Sequence, residues 1–166
     1  MKLKENDNVP SSEIFVLENG EPTKKNIKEL LKSKKAVIFG LPGAYTSVCS
    51  AKHLPGYVNL YQQYKDKGID HIICVSVNDP FVMNAWGKAQ SLENVKLIPD
   101  GSGEFSRKLG MLVAKDNLGF GMRSWRYAAV IKNQLITHWF EEPGFSDNYG
   151  QDPYSVSAPQ HVLENL

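Results

Sequence analysis

The stretch Ala36-Val-Ile-Phe-Gly-Leu41 is an almost unbroken apolar run of strand length, and it constrains the fold more than any other segment. A strand that alternates apolar and polar residues needs one covered face. A strand that is apolar on both faces must lie inside a parallel or mixed sheet with helices packed on either side. The flanking sequence supplies those helices. Before the run, Ile27, Leu30 and Leu31 share one helical face in "TKKNIKELLKSK", and Thr23 stands where an N-cap is needed, which predicts a helix from Thr23 to about Lys34. After it, Leu54, Tyr57, Val58 and Tyr61 recur at helical spacing between Ser50 and Lys67, with Pro55 expected to kink the second turn.

The same alternation continues along the chain. "HIICVSV" and "VKLIP" read as further strands, "DPFVMNAWGKA" as a helix with Pro80 at its start after Asp79, and "GEFSRKLG" as a short helix stopped by Gly110. This β-α-β-α-β order implies right-handed crossovers. "EIFVL" with the Asn19-Gly20 turn predicts an N-terminal hairpin. Beyond an irregular stretch from Met111 to Trp125, "RYAAVI" and "LITHWF" pair around Lys132-Asn133 as an antiparallel hairpin. Ser157 followed by Gln160 reads as a capping box for a last helix. Without repeats, linkers or low-complexity segments, residues 1–166 read as one α/β domain of thioredoxin-like fold. Its central mixed sheet is flanked by helices and carries an N-terminal hairpin extension.

Composition narrows the function. With 42% hydrophobic residues in 166, the chain buries one sizeable core. Nineteen Lys+Arg against 18 Asp+Glu leave a net charge of +1, too little to favour nucleic acid or an anionic membrane. "MKLKENDNVPSSEIFVL" has no apolar signal region, and no stretch reaches the length that spans a bilayer. Two cysteines make no disulfide framework and suit a reducing compartment. The chain therefore reads as soluble and cytoplasmic.

Each cysteine then needs its own account. Cys49 lies in "GLPGAYTSVCSAKHLPGY", just past the carboxyl end of the central strand, where open α/β sheets place their active sites. Thr46 or Ser47 stands where it would cap the following helix. Cys49 then falls in the first turn, whose free N–H groups stabilise a thiolate. A buried apolar filler is the ordinary role of a free cysteine; this position argues for a nucleophile instead. His53, four residues on, shares its helical face, but zinc needs two further ligands that no spacing in the chain supplies, so His53 reads as an orienting or packing residue. Cys74, inside "HIICVSV", reads as a core thiol with little access.

The motif Pro42-x-x-x-Thr46-x-x-Cys49, together with "HLPGYV", "VSVNDPFVMNAW" and "RYAAVI", resembles the type-five branch of the peroxiredoxins, the one similar to the plant type II proteins. The resemblance runs from about Val9 to Leu166. It implies a thiol peroxidase that reduces hydrogen peroxide and organic hydroperoxides through a sulfenic acid on Cys49. Thr46 would offer its hydroxyl to thiolate and peroxide, and Pro42 would shield the sulfur. Arg126 would supply the fixed cation, with Arg123 the weaker candidate for that role. Ser47 departs from the proline that most members carry there. Where some members have a resolving cysteine near the carboxyl terminus, this chain has Ser155 and Ser157. The resemblance therefore implies an external thiol donor, glutathione with glutaredoxin or a thioredoxin, and no dedicated cofactor. It also implies a homodimer, with Ala44, Tyr45, Phe81 and Trp86 as candidate patch residues. A redox sensor or relay that passes Cys49 oxidation to a protein partner is the alternative. A disulfide oxidoreductase is disfavoured, since "TSVC" lacks the first thiol of Cys-x-x-Cys.

Overall fold

The computed structural model describes residues 1–166. It begins with the expected hairpin of Glu13–Glu18 (β1) and Glu21–Asn26 (β2). Asn19 and Gly20 both take left-handed backbone at its turn, φ 52° and 79°, as a two-residue hairpin loop requires. Thr23 lies inside β2 and caps nothing. The helix is the single turn Ile27–Leu30 (α1), capped by Asn26, whose Oδ1 accepts from the N–H groups of Lys28 and Glu29 at 3.0 and 3.4 Å. Hairpin pairing claimed the residues up to Asn26, so only the end of the expected helix forms. Ile27 and Leu31 are fully buried and Leu30 is exposed.

The apolar run is Lys35–Leu41 (β3). It is followed by a π-helical turn Cys49–His53, then Leu54–Asn59 (α2) and Tyr61–Asp66 (α3). Pro55, which has no N–H to donate, follows on the widened π-helical turn Cys49–His53, and a second break falls at Leu60, whose ψ of 6° leaves the helical region. Next come His71–Ser76 (β4), Pro80–Ala89 (α4, with Asp79 capping Val82 N–H at 2.8 Å), Lys96–Pro99 (β5) and Glu104–Leu109 (α5). The stretch expected to be irregular holds a small hairpin, Leu112–Ala114 (β6) and Met122–Ser124 (β7), around a 3-10 turn at Asp116–Leu118. Tyr127–Lys132 (β8) and Leu135–Glu141 (β9) pair as expected, with the turn at Asn133-Gln134, φ 45° and 72°. Pro159–Glu164 (α6) closes the chain. Ser157 and Gln160 form no capping box, because each side chain bonds elsewhere, to Glu142 and Glu164 respectively.

The main sheet has the order β5-β4-β3-β8-β9. Strands β3, β4 and β5 are parallel, while β8 runs antiparallel to both β3 and β9. This is the thioredoxin-like arrangement that the alternation implied. Side chains of a strand point alternately to opposite faces, and β3 divides accordingly: Ala36 and Ile38 enter one hydrophobic cluster, Val37, Phe39 and Leu41 the other. Cys49 and Cys74 both belong to the second cluster, with Tyr57 and Tyr64. Gly40 has a packing role: a Cβ there would run into the ring of Tyr127, its neighbour on β8. No helix is long and apolar enough to cross a membrane.

Candidate active site

Beyond Leu41 the chain leaves the sheet through Pro42–Val48 and enters the π-helical turn. Gly43 passes so close under Arg123 that an added Cβ would lie 2.6 Å from its Nη1. Tyr45 takes a left-handed φ of 65°, a conformation that costs a non-glycine residue roughly 1–2 kcal/mol. The Thr46 hydroxyl donates to the Gly43 carbonyl at 2.7 Å. Neither Thr46 nor Ser47 gives the following turn a side-chain cap, contrary to the sequence reading, because the loop folds back on itself first. The wide turn is closed by Leu54 N–H donating to the Cys49 carbonyl. Cys49 and His53 are both fully buried.

Arg126 reaches this turn because antiparallel pairing sets Tyr127 beside Gly40, so that the start of β8 meets the end of β3. The guanidinium is 1% exposed. Its Nη2 donates to Cys49 Sγ at 3.5 Å and to Asp152 Oδ1 at 2.7 Å, and its Nη1 lies 2.9 Å from His53 Nδ1. Burial would lower the ionisation range of Arg126, but the charges of Cys49 and Asp152 outweigh it and raise it. Arginine has no acceptor, so His53 Nδ1 must carry the lone pair and Nε2 the proton. Nε2–H then donates to the Ser157 carbonyl at 3.2 Å, which also accepts from Tyr57 Oη–H at 3.2 Å. Burial first, and Arg126 second, push His53 well below its ordinary range against the pull of that carbonyl. The ring is neutral.

Ser157 is held in turn by Glu142, a carboxylate that is fully buried and pairs with no cation. It accepts four hydrogen bonds of 2.7–2.9 Å, from the N–H and hydroxyl groups of Ser155 and Ser157. Burial drives its ionisation range up, and those donors outweigh it, holding the carboxyl below its usual range. Glu142 N–H donates to the Arg126 carbonyl at 3.1 Å. The network therefore closes on itself: Arg126 to His53, His53 to Ser157, Ser157 to Glu142, and Glu142 back to the Arg126 backbone.

Of the residues singled out from sequence, Cys49, Arg126 and His53 meet directly. Pro42 and Thr46 border a cavity of about 280 Å³ at the mouth of the site. Arg123 donates to the Phe120 and Pro42 carbonyls and makes no hydrogen bond to Cys49. Cys74 is fully buried and unpaired; burial pushes its thiol up, the charge of Cys49 adds to the shift, and Arg126 opposes it. The apolar patch is smaller than expected. Tyr45 and Phe81 are each 57% exposed, Ala44 is buried, and Trp86 is core, its Nε1–H donating to Ser50 Oγ at 3.0 Å. Asp152 and Glu142 escaped the sequence reading. Nothing near Asp152 marks it, whereas the pair Glu141-Glu142 at the end of a strand, followed by Ser155 and Ser157, was an available signal.

Comparison with known proteins agrees with this geometry. The chain matches the Redoxin family over residues 4–151. It is 61% identical over 142 residues to a peroxiredoxin of Rhizobium etli, covering 86% of this chain and 79% of that one. The Plasmodium falciparum antioxidant protein, a 1-Cys peroxiredoxin, superposes with a TM-score of 0.94 at 34% identity over 98% of both chains. Reduced Prx3 of Vibrio vulnificus in complex with hydrogen peroxide gives 0.88 at 35% identity, again over 98% of each.

The buried carboxylate yields a test. Removing it in Glu142→Ala leaves the Ser155 and Ser157 donors without their acceptor, at a cost of about 3 kcal/mol. A carboxyl held low in the folded state adds stability above its unfolded value of about 4.3 and loses it as pH falls through the folded value. Urea unfolding should therefore find parent and variant furthest apart at pH 7 and converging below about pH 4. A gap that does not depend on pH would mean that Glu142 acts by packing alone.

Proposed function

The chain belongs to the peroxiredoxins and is thus a thiol-dependent peroxidase, and from that premise we propose that its chemistry runs through Cys49 with Arg126, Thr46 and Pro42 around it. The carrying observation is the Arg126 Nη2 donor at 3.5 Å from Cys49 Sγ. The thiolate attacks one peroxide oxygen; an S–O bond forms, the O–O bond breaks, and the other oxygen takes the electron pair and a proton and leaves as water or alcohol. Arg126, already aimed at the sulfur, holds the negative charge that grows in this step. The Thr46 hydroxyl spends its one donor on the Gly43 carbonyl, so its oxygen serves as an acceptor for the peroxide O–H. Pro42 walls the site from bulk water.

The sulfenic acid left on Cys49 is two electrons more oxidised than the thiol. An external thiolate attacks its sulfur, hydroxide leaves as water, and a second thiol releases the mixed disulfide. Glutathione with glutaredoxin, or a thioredoxin, fits this step, and two unpaired thiols suit the reducing cytoplasm. Cys74 lies sealed in the core, and Ser155 and Ser157 hold Glu142, so an internal resolving thiol is not part of the reading. Relatives named as peroxiredoxins do not favour the relay alternative.

Peroxide without thiol should add two and then three oxygens to Cys49. Peroxide with glutathione should add one glutathione to the same residue. Peptide mass spectrometry reads both, and a Cys49–Cys74 disulfide would sink the one-cysteine cycle. Turnover should vanish in Cys49→Ser and largely survive in Cys74→Ser.

Arg126→Met should slow peroxide reduction by about 100-fold or more, the scale of losing one preorganised donor. Arg123→Met should cost far less, since it bonds only to carbonyls. Stopped-flow oxidation at a pH where Cys49 is fully ionised distinguishes them, and equal losses would reverse the assignment.

We also infer a homodimer across the patch of Tyr45 and Phe81. The Ala44 N–H bond to Asn78 Oδ1 at 2.9 Å ties their two loops together. Sedimentation should find a dimer in the parent and a shift to monomer in Phe81→Asp; an unshifted dimer would remove this patch from the interface.

A further inference from the structure

The cavity bordered by Pro42 and Thr46, beside the buried Cys49, is larger than a small peroxide needs. Its volume is about 280 Å³, against roughly 30 Å³ for one water in the liquid, so it has room for a larger molecule than hydrogen peroxide. Besides Pro42, Thr46 and Ser47 it is bordered by Asn117, Gln151 and Lys115, and Lys115 is the anomaly.

Lys115 is 4% exposed. Lysines that deep are almost always paired, yet none of the chain's five ion pairs includes it, and its ammonium donates no hydrogen bond. The ammonium lies over the face of Trp125, 5.4 Å from the ring centroid. It is not a loose side chain on a loose loop. Lys115 N–H donates to Gly121 O at 2.8 Å, and its own carbonyl accepts from Leu118 and Phe120, both at 3.1 Å. The one acidic residue bordering the cavity, Asp152, is already engaged by Arg126 at 2.7 Å. The ammonium also feels the charges of Asp152, Arg126 and Cys49, which puts it in the electrostatic field of the reacting sulfur. A lysine whose stem is buried, whose ammonium is in no ion pair and which stands on the wall of a cavity with room to spare is placed to receive an anion. Neutral amides at Asn117 and Gln151 and the apolar side chains of Leu118 and Phe120 complete a wall suited to a short organic acid.

We propose that Lys115 binds a carboxylate carried by the co-substrate that reacts at Cys49. The proposal rests on Cys49 being the reacting thiol. The carboxylate belongs either to an acidic thiol that reduces the sulfenic acid or to an acidic hydroperoxide that forms it.

Alkylation of the reduced full-length chain tests the site without any turnover. Iodoacetate and iodoacetamide place the same S–C bond on Cys49 as iodide leaves, and they differ by one carboxylate. Relative to the parent, Lys115→Gln should lower the iodoacetate-to-iodoacetamide rate ratio at Cys49 by about tenfold, the worth of one charge-assisted hydrogen bond. Lys115→Arg should restore most of it. Turnover then locates the carboxylate. If Lys115→Gln is selectively slower with 3-mercaptopropionate than with 2-mercaptoethanol, the acid is on the reductant. If it is selectively slower with a fatty-acid hydroperoxide than with tert-butyl hydroperoxide, the acid is on the oxidant. Equal slowing with both alkylating reagents, or an unchanged ratio, overturns the proposal, since packing alone would account for Lys115. A parent that fails to turn over with any of these thiols would count against the peroxidase role of Cys49, and the alkylation ratio would still decide the Lys115 site.

Discussion

A guanidinium 1% exposed to solvent is the constraint from which the rest of this structure follows. An arginine does not give up its proton inside a protein, so burying Arg126 obliges the fold to supply acceptors and negative charge around it. Three parts of the chain answer. The π-helical turn brings the sulfur of Cys49 and the bare nitrogen of His53, the loop after β9 brings Asp152, and Glu142 anchors the segment that fixes the His53 tautomer. The site is thereby set before any substrate arrives. A guanidinium held from several directions has little freedom to turn away from the sulfur, which is what preorganised charge stabilisation requires.

The architecture that assembles these groups was legible wherever the signal was local or strictly periodic. The apolar run of β3, the Asn19-Gly20 turn, the Asp79 cap and the arrest at Gly110 each express one physical preference that tertiary packing did not oppose. Failures arose where two preferences competed for the same residues. Thr23 is a fair cap, but pairing with β1 extends to Asn26, which is a better one. Ser157 and Gln160 have capping-box spacing, yet a buried carboxylate takes the Ser157 hydroxyl, because leaving Glu142 unsatisfied would cost more than a missing cap. The π-helical turn has no periodic signature, since one widened turn leaves the apolar spacing around it almost unchanged.

The site was legible in the same unequal way. Cys49 declares itself by its place after a central strand, and Arg126 by its resemblance to a family position. Sequence gave no physical reason to prefer Arg126 to Arg123, three residues earlier. The structure supplies one: Arg126 adjoins the strand residue that pairs with Gly40, whereas Arg123 lies on the small outer hairpin and spends its donors on carbonyls. Asp152 and Glu142 were not found because their meaning lies in partners 26 and 13 residues away, and Lys115 because its meaning lies in being enclosed without an ion pair. A lysine whose stem is buried cannot be told from a surface one until the fold encloses it.

The closed network also limits what can reduce the site once it is oxidised. Cys49 is wholly buried; its sulfur is tied to the network by one hydrogen bond, from Arg126, and its carbonyl closes the π-helical turn, so the sulfur moves outward only by giving up the guanidinium or unwinding that turn. While the turn stays wound, the cavity of about 280 Å³ bordered by Pro42 and Thr46 is the open space beside the site, and a thiol carried on a folded protein needs the turn to open. Charge acts alongside size, because Arg126 stands at the sulfur and an attacking thiol arrives as the thiolate. Rigidity around one cation thus holds the sulfur ready for a small oxidant and sets what must open before a larger partner can reach it.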